Sequence, residues 1–302
     1  MALQDEIDAA APGAEILIPA GVHRETVVIT KPLVLRGDPG AILDGGGEGP
    51  VIAINVPPGP PVRVIGLTVR NGSAQAGGGI SIQKGVVEID QCVISGNRAT
   101  GFGGGGLYSQ GQRLTVTRCR FEENRGRQGG AVFLDGAVQA TVTEALFARN
   151  GGFWGGAVRL REAATLTLER STVADNVAVG EGAAGTQLHL SGTLTRKPRL
   201  TLRNCILSGG GELLFNSPEH PATVEGSHVL ATDFRLPATV LHQLSGDPAF
   251  SGEAPTPYRP RAGSAAGGRG DPTGLPPDAV DLEGKPRKRG GGLDLGAYSL
   301  LP

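Results

Sequence analysis

The sequence predicts an all-β fold, a parallel β-helix of roughly eight stacked turns, and three observations support it. Within each repeat, apolar residues alternate, skip one position and alternate again, as in Val87 and Ile89 followed by Cys92 and Ile94. A glycine pair precedes a further apolar segment in each repeat. Asparagines recur at spacings of 26, 27, 26 and 26 residues, at Asn71, Asn97, Asn124, Asn150 and Asn176.

Each repeat is expected to contain three strands, because alternation of period two is typical of strands and the skipped position indicates a bend. Successive turns would then pair in parallel and advance by about 4.8 Å. Equivalent residues should therefore stack in interior columns. Two such columns are Val87, Leu114, Ala140, Leu166 and Leu200, and Ile94, Phe121, Phe147, Val173 and Leu207.

The recurring asparagines are interpreted as a structural ladder rather than a site. Asparagine tolerates the left-handed backbone of a tight corner, and stacked amides can hydrogen-bond along the coil. The three cysteines fall in a narrow interior column, where a thiol behaves as a small apolar group. Inert packing is expected, and the alternative is a disulfide between Cys92 and Cys119.

Three segments are predicted within a single domain. Residues 1–13 should form a helix that caps the open end of the coil, because LQDEIDAA has helical propensity and precedes Pro12 and Gly13. Residues 14–244 carry the strand patterns of the β-helix. Residues 245–302 have no period and are interpreted as a tail that packs on the coil.

Composition excludes several classes of function. The chain has 302 residues, with 28 Lys and Arg against 29 Asp and Glu, so net charge gives no case for nucleic acid or an anionic membrane as partner. No apolar stretch is long enough for a transmembrane helix, and no signal-peptide pattern opens the sequence. Oligomeric state is left open.

The sequence resembles known β-helix families. The segment IPAGVHRETVVITKPLVLRG resembles the first turns of right-handed parallel β-helix proteins of the pectin-lyase-like superfamily. GGAV followed by CRFEEN or ALFARN is similar to the repeats of polymorphic outer-membrane proteins. DLEGKPRKRGGGLDLGAY resembles the closing segment of choice-of-anchor Q proteins, with Ser299 where Glu is usual. The resemblance implies a right-handed coil at the cell surface or outside the cell, but no particular activity, since this fold carries many.

Chemistry is predicted on the outward row of the strand after each glycine pair. This row comprises Ser81, Tyr108, Phe133, Arg159 and His189, and two residues further on lie Gln83, Gln110, Asp135, Arg161 and Ser191. Aromatic faces suit sugar rings and arginine suits carboxylates, so we expect an acidic or neutral polysaccharide to lie along the coil. The expected binding residues are Tyr108, Gln110, Phe133 and Trp154. The structural alternative is that Asp135 only pairs with Arg161.

Catalysis by the same row remains an alternative. A polysaccharide lyase acting on uronates would use Arg159, Arg161 or His189 as base, and a hydrolase would need a carboxylate pair such as Asp135 and Glu162. The sequence lacks Asp-Asp with Gly-His-Gly, as in polygalacturonases, and Asp-Pro-His-Asp, as in alginate epimerases. No cofactor or metal site is predicted. Calcium ligands could come from Asp233, Asp247, Asp281 or Glu283, but their spacing is not that of a site.

The first hypothesis is therefore a secreted or surface β-helix protein that binds polysaccharide, or serves a structural role, without efficient catalysis. The alternative is a lyase or another carbohydrate-active enzyme acting on uronate-containing glycans. A remote alternative is ice binding, suggested by a predicted outward row of threonines. Its members are Thr115, Thr141, Thr167 and Thr201.

Overall fold

The computed structural model describes residues 2–287 and 292–300 and contains one short helix, α1 (Leu3–Ala9). The strands follow in chain order as β1 (Glu15–Ile18), β2 (Gly21–His23), β3 (Val27–Ile29), β4 (Val34–Gly37), β5 (Ala41–Asp44), β6 (Ile52–Asn55), β7 (Val62–Ile65), β8 (Thr68–Arg70), β9 (Ser73–Ala74), β10 (Ile80–Lys84), β11 (Val86–Asp90), β12 (Val93–Ser95), β13 (Arg98–Ala99), β14 (Leu107–Ser109) and β15 (Arg113–Thr117). They continue as β16 (Arg120–Glu122), β17 (Arg125–Gln128), β18 (Val132–Leu134), β19 (Gln139–Thr143), β20 (Leu146–Ala148), β21 (Gly151–Trp154), β22 (Val158–Arg161), β23 (Thr165–Glu169), β24 (Thr172–Ala174), β25 (Val177–Ala178), β26 (Leu188–Ser191), β27 (Arg199–Ser208), β28 (Leu214–Asn216), β29 (Thr223–Ala231) and β30 (Val240–Leu244).

These strands form three parallel sheets that wrap around one core, so the predicted β-helix is confirmed. Sheet A has 17 strands, two for most turns, such as β11 and β12. Sheet B has eight strands, one for each of the first eight turns, from β3 to β28. Sheet C has five short strands, β9, β13, β17, β21 and β25. Five turns therefore contain four strands rather than the predicted three, because a short strand of sheet C follows the corner after the second strand of sheet A.

The bend between the two strands of a turn in sheet A explains the skipped position in the apolar alternation. Gln91, Arg118, Glu144 and Arg170 occupy this bend with φ between 45° and 55°. One left-handed residue turns the chain without interrupting the parallel pairing on either side. The next apolar residue therefore returns to the interior.

The interior columns form as predicted. Val87 pairs with Leu114, and Leu114 pairs with Ala140, on successive turns of sheet A. Phe121 and Phe147 stack with ring centroids 4.9 Å apart and an interplanar angle of 6°. Both rings are fully buried, so like residues of adjacent turns do lie one above another in the core.

Four asparagines form a buried hydrogen-bonded ladder. The Oδ1 atom of Asn124 accepts hydrogen bonds from the backbone N–H and the Nδ2 of Asn97, at 3.1 and 3.0 Å. Asn124 and Asn150 repeat this arrangement on the next turn, and Asn150 and Asn176 repeat it again. Gln187 ends the ladder, because its Oε1 accepts from Asn176 Nδ2 at 2.6 Å.

Asn71 does not belong to this column, which corrects the predicted ladder. Its neighbour Gly72 stands at the ladder position and donates its N–H to Asn97 Oδ1 at 2.9 Å. Asn71 itself is exposed, has φ 56°, and donates to Asp44 Oδ2. The left-handed corner residue elsewhere is the one before the asparagine, such as Glu123 with φ 59°. The asparagine is retained for its amide, since its own backbone is not strained.

The three cysteines are free and buried, as inert packing requires. The backbone N–H of Cys92 donates to Cys119 Sγ at 3.4 Å, so the two residues are adjacent without a disulfide. Burial raises the pKa of Cys119, and raises that of Cys205 to about 12. Neither of these two thiols is therefore a nucleophile at neutral pH.

Helix α1 lies over the first turn of the coil. Leu3 and Ile7 are buried against the core. The Gln4 side chain pairs with the backbone of Val28 in both directions, accepting from its N–H at 2.8 Å and donating to its carbonyl at 3.2 Å. Gln4 thus occupies hydrogen-bonding groups of β3, an edge strand of sheet B that could otherwise pair with another chain.

The described part of the tail, residues 245–287 and 292–300, packs on the outer face of sheet A. One cluster joins Tyr258, Ala297 and Tyr298 to Leu146 and Ala174 of that face. A polar contact fixes the position of the tail, because the Arg287 guanidinium donates to the Glu144 carboxylate and both groups are buried. Burial raises the pKa of Glu144, and the positive charge of Arg287 opposes this. Residues 288–291 of the DLEGKPRKRGGGLDLGAY motif, and Met1, Leu301 and Pro302, lie outside the described residues.

The threonine row is in register. Its members pair position for position on successive turns of sheet A. Glu88 precedes the row and Glu225 follows it in the same register, and the Thr201 hydroxyl donates to Glu225. The row is therefore four residues long, with a charged group at each end.

Candidate functional site

The outward row predicted on sheet B forms in the expected register. Ser81, Tyr108, Phe133, Arg159 and His189 pair one above another on β10, β14, β18, β22 and β26. All five are nevertheless buried, with exposures between 1% for Phe133 and 8% for Ser81 and Tyr108. The rings of Tyr108 and Phe133 therefore present little surface to a ligand.

Glycine turns explain this burial. Each turn that leads into a strand of sheet B packs against the outward residue of the next turn. A Cβ atom on Gly104 would lie 2.6 Å from the backbone nitrogen of Phe133, and one on Gly155 would lie 3.3 Å from the Cβ of His189. A side chain at Gly155 would also meet the Val158 carbonyl at 2.4 Å, and the residue has φ +81°. Glycine is required there for the turn to approach so closely.

The Asp135 carboxylate accepts hydrogen bonds from neighbouring side chains. Arg161 donates from Nε to Oδ1 at 2.7 Å and from Nη2 to Oδ2 at 2.8 Å. Gln110 donates to the same carboxylate at 3.2 Å, and the Tyr108 hydroxyl lies 3.5 Å away. Burial raises the pKa of Tyr108 to about 12, and the charge of Asp135 adds to this. This is the ion pair that the structural alternative described. Glu162, the other candidate carboxylate, pairs with Arg196 at 2.8 Å.

Arg159 is a buried cation with incomplete hydrogen bonding. Its Nη2 donates to the Ser191 hydroxyl at 3.0 Å, whereas its Nε and Nη1 have no partner among the described residues. The guanidinium lies 4.9 Å from the centroid of the Trp154 ring. Burial lowers the pKa of Arg159 to about 10, and the charge of Arg161 contributes. Arg159 stays protonated at neutral pH.

His189 is buried and uncharged at neutral pH. Its Nδ1 lies 3.3 Å from the carbonyl oxygen of Ala184, and its ring is 4.6 Å from that of Phe215. Burial, together with the nearby charge of Arg159, lowers the pKa of His189 to about 4. A neutral imidazole could accept a proton, but this one is only 4% exposed.

Sheet C presents an exposed surface that the sequence analysis did not identify. Its outward residues form two rows, because alternate residues of a strand point to the same face. The first row contains Ser73, Arg98, Arg125, Gly151 and Val177, which are paired in register. The second row lies two residues further on and contains Thr100, Arg127, Phe153 and Val179. Two- to four-residue strands show little periodicity, but an arginine directly after Asn97 and after Asn124 was a usable signal.

Three aromatic rings surround Arg127 on this face. The guanidinium carbon lies 5.0 Å from the ring centroid of Phe102, 5.7 Å from that of Phe153 and 5.4 Å from that of Trp154. Phe153 and Trp154 meet edge to face at 4.7 Å, and Phe102 is 65% exposed. We call Phe102, Phe153 and Trp154, with Arg127 between them, the aromatic platform. Trp154 links the platform to buried Arg159.

A comparison with protein families decides the class. The family described as the right handed beta helix region matches residues 54–231 of the sequence. The chain belongs to the right-handed β-helix family. No curated protein sequence matches it.

Solved structures to which this right-handed β-helix is similar include two pectin-acting enzymes. One is the pectin methylesterase PemA from Erwinia chrysanthemi, with 13% identity and a TM-score of 0.47, over 82% of this chain and 89% of that one. Another is the pectate lyase Pel9A, with 15% identity and a TM-score of 0.46, over 100% of this chain and 91% of that one.

A metal site in the described part of this β-helix would require several ligating side chains close together. That part of the chain has no group of three or more His, Cys, Asp or Glu side chains that could hold a metal ion. Asp281, one of the residues considered for calcium, accepts backbone hydrogen bonds from Glu283, Lys285 and Ser299. No helix among the described residues is long and apolar enough to cross a membrane.

Proposed function

We propose that this right-handed β-helix protein binds a polysaccharide through the aromatic platform and does so without efficient catalysis. The exposed ring of Phe102, with the half-buried rings of Phe153 and Trp154 beside it, is the observation that carries this proposal. Aromatic side chains offer flat apolar surface, which suits the apolar face of a sugar ring. Arg127 can in addition donate hydrogen bonds to hydroxyl or carboxylate oxygens at the edge of the stacked sugar. We place the protein at the cell surface or outside the cell, as the sequence resemblance implies.

The proposal relocates the predicted binding set. Trp154 remains in the proposed binding set, whereas Gln110, although exposed, donates a hydrogen bond to Asp135 and is not part of the platform. Tyr108 and Phe133 are assigned a supporting role, because their rings are buried under the glycine turns. Phe102, Phe153 and Arg127 take their place. The ligand would then lie over sheet C rather than over the outward row of sheet B.

We propose that catalysis is inefficient because the candidate acid and base side chains are buried or already engaged in ion pairs. A general acid or base must reach the substrate at hydrogen-bond distance. Asp135 is bound by Arg161, and His189 is buried below the glycine turns. Asp135 and Glu162 do not provide a free pair of carboxylates to flank a glycosidic bond, because each accepts a hydrogen bond from an arginine.

Substitution of the platform tests this proposal. A panel of neutral and acidic polysaccharides is titrated calorimetrically with the wild type, Phe102→Ala, Phe153→Ala and the control Leu194→Ala, whose side chain is 84% exposed elsewhere on the coil. We expect about a tenfold loss of affinity for each platform variant, corresponding to about 1.4 kcal/mol of lost stacking. The control should keep full affinity. Absence of binding to every glycan, or equal affinity of platform and control variants, would contradict the proposal.

A polysaccharide lyase is a second candidate, favoured by one observation. Arg159 is a buried arginine whose pKa is lowered to about 10, which brings it nearer to the range of a base. In β-elimination the neutral form of Arg159, a minor species at neutral pH, would take the C5 proton of a uronate, the electron pair would form the C4–C5 double bond, and the C4–oxygen bond would break as the leaving oxygen takes a proton from solvent. Uronate polymers are therefore incubated with and without calcium while absorbance of unsaturated products is recorded. Steady release that is lost in Arg159→Ala but kept in Arg113→Ala would establish the lyase.

A further inference from the structure

Arginines on this coil are commonly matched by a carboxylate one turn away. The pairs lie 26 to 28 residues apart in sequence and are Arg70 with Asp44, Arg118 with Asp90, Arg149 with Glu123, Arg161 with Asp135, and Arg170 with Glu144. Such pairing prevents like charges from stacking on neighbouring strands. The pattern shows how this chain normally arranges charge between turns.

Sheet C departs from that pattern. Arg98 and Arg125 pair with each other in register, although like charges directly opposite are destabilising. Among the described residues, no carboxylate oxygen lies within 4.0 Å of Arg24, Arg98, Arg125 or Arg127. Arg125 donates to the carbonyl oxygen of Arg149, and a carbonyl does not cancel its charge. The positive charges of these arginines are therefore not offset at ion-pair distance, although the whole chain has a net charge of −1 and Glu48 is exposed in the turn after Gly47.

An open groove of about 520 Å³ continues this face toward the first turn. Its lining comes from four successive turns, beginning at Arg24 and ending at Arg98, with Ser73 between them. Asp44 also lines the groove, but its carboxylate already accepts from Gly46, Arg70 and Asn71. Burial alone would raise the pKa of Asp44, but these hydrogen bonds have the larger effect and the pKa is lowered. Asp44 is therefore a carboxylate whose negative charge is stabilised by Gly46, Arg70 and Asn71. The donors left for a ligand are the guanidinium groups.

We infer that Arg24, Arg98 and Arg125 form an anion-binding row that receives the charged groups of an acidic glycan, beside the aromatic platform. The inference rests on the proposed function and adds the class of ligand. Arg24 lies on the first turn, Arg125 on the fifth and Phe153 on the sixth, so a ligand that contacts all three spans about 24 Å at about 4.8 Å per turn. That length requires a polymer. The shared chemistry is an oxyanion, either a carboxylate or a sulfate half-ester, because an arginine fork binds such planar or tetrahedral groups through two hydrogen bonds.

Two matched pairs of polymers separate charge from the sugar backbone. Dextran is compared with dextran sulfate, and polygalacturonate with its methyl ester, each titrated at low and high NaCl concentration. The proteins are the wild type, the double variant Arg24→Gln/Arg98→Gln and the control Arg113→Gln, an exposed arginine on sheet A. The substituted side chains are exposed, so all three proteins should unfold at similar temperatures, which circular dichroism verifies.

We expect the wild type to bind at least one charged polymer more tightly than its uncharged partner. The double variant should lose at least tenfold in affinity for that polymer, with a weaker salt dependence, and the control should lose nothing. Which charged polymer binds distinguishes sulfate from carboxylate. Equal affinity of the double variant and the control, or equal affinity of the wild type for charged and uncharged partners, would overturn the inference.

Two further outcomes separate this inference from the proposed function. If the wild type binds a charged polymer and Phe153→Ala binds it equally well, the platform is wrong while the anion-binding row stands. If an uncharged polymer binds through the platform and the double variant is unaffected with every charged one, the row is wrong while the platform stands. A DNA duplex bound as tightly as the charged glycans would overturn the assignment to a glycan.

Discussion

The outward row of sheet B and the outward face of sheet C follow the same stacking rule with opposite results. On sheet B, the polar groups of the outward row are buried and most have a hydrogen-bond or ion-pair partner on a neighbouring turn, as Asp135 has in Arg161. On sheet C, the arginines are exposed and the aromatic rings are exposed or half-buried, and these arginines have no carboxylate within ion-pair distance in the part of the chain that the structure describes. Stacking alone therefore does not distinguish a surface that binds from one that only holds the coil together. What covers each row makes the difference.

The backbone of the glycine turns covers the outward row of sheet B. Its glycine turns approach so closely that Gly104 lies against Phe133 and Gly155 against His189. The outward face of sheet C is covered less completely, because Arg98, Arg125 and Arg127 are exposed and a glycine turn contacts this face at Phe153, whose ring lies against Gly180. We accordingly expect substitutions on sheet B to affect mainly stability, and those on sheet C to affect mainly binding.

The largest expected effect is that of Asp135→Ala on stability. The substitution leaves the Arg161 guanidinium without its bidentate partner and adds to the uncompensated charge beside buried Arg159. Removal of one member of a buried ion pair costs about 3 to 5 kcal/mol, and because the Arg161 side chain is 40% exposed we expect the lower limit, about 3 kcal/mol. The matched control is Glu123→Ala, because that carboxylate pairs with Arg149 while its side chain is 61% exposed, and the loss should stay below about 1 kcal/mol. Urea unfolding followed by circular dichroism measures the free energy of unfolding of both variants. Equal losses of stability in Asp135→Ala and Glu123→Ala would contradict the proposed difference between the two ion pairs.

A smaller effect is expected from the protonation of His189 below neutral pH. Its pKa is about 4 in the folded chain and about 6.5 when unfolded, so the unfolded chain binds the extra proton first. Stability from this group is complete above about pH 6.5 and is lost as the pH falls toward 4, by about 2 kcal/mol at pH 4.5. His189→Gln should remove that part of the acid sensitivity. Unfolding temperatures of both proteins between pH 4.5 and 7 test this, and parallel curves would show that His189 is solvated.

Much of the fold could be predicted from the sequence because stacking repeats the same physical demand on every turn. The alternation that skips a position predicted both columns, including the contact of Phe121 with Phe147. The prediction for Asn71 was wrong because the turn before Asn97 is one residue shorter than the 26-residue spacing suggests. Gly72, rather than Asn71, therefore lies opposite Asn97. A spacing of 26 residues is thus compatible with two different columns.

The candidate site was predicted less well, for two physical reasons. The register of Tyr108 with Phe133 followed from the repeat, but their burial depends on how closely a glycine turn approaches the next turn. A glycine pair in the sequence indicates a turn and gives no sign of where the turn packs. Arg98 was missed because strand β13 has two residues, too few for any alternation.

The smallest stability effect, and a sharp test of the comparison, is expected from Arg127→Gln. The guanidinium contacts three partly exposed rings, but one guanidinium cannot lie squarely over three ring faces at once, so the contacts are not additive and together contribute about 0.5 to 1 kcal/mol. Loss of stability should therefore stay below about 1 kcal/mol, whereas affinity for the polysaccharide found in the panel should fall about tenfold. Unfolding temperature and calorimetric affinity are measured on the same preparation. If Arg127→Gln instead destabilises the chain as much as Asp135→Ala while binding is retained, then the face of sheet C is structural, and the distinction between the two surfaces fails.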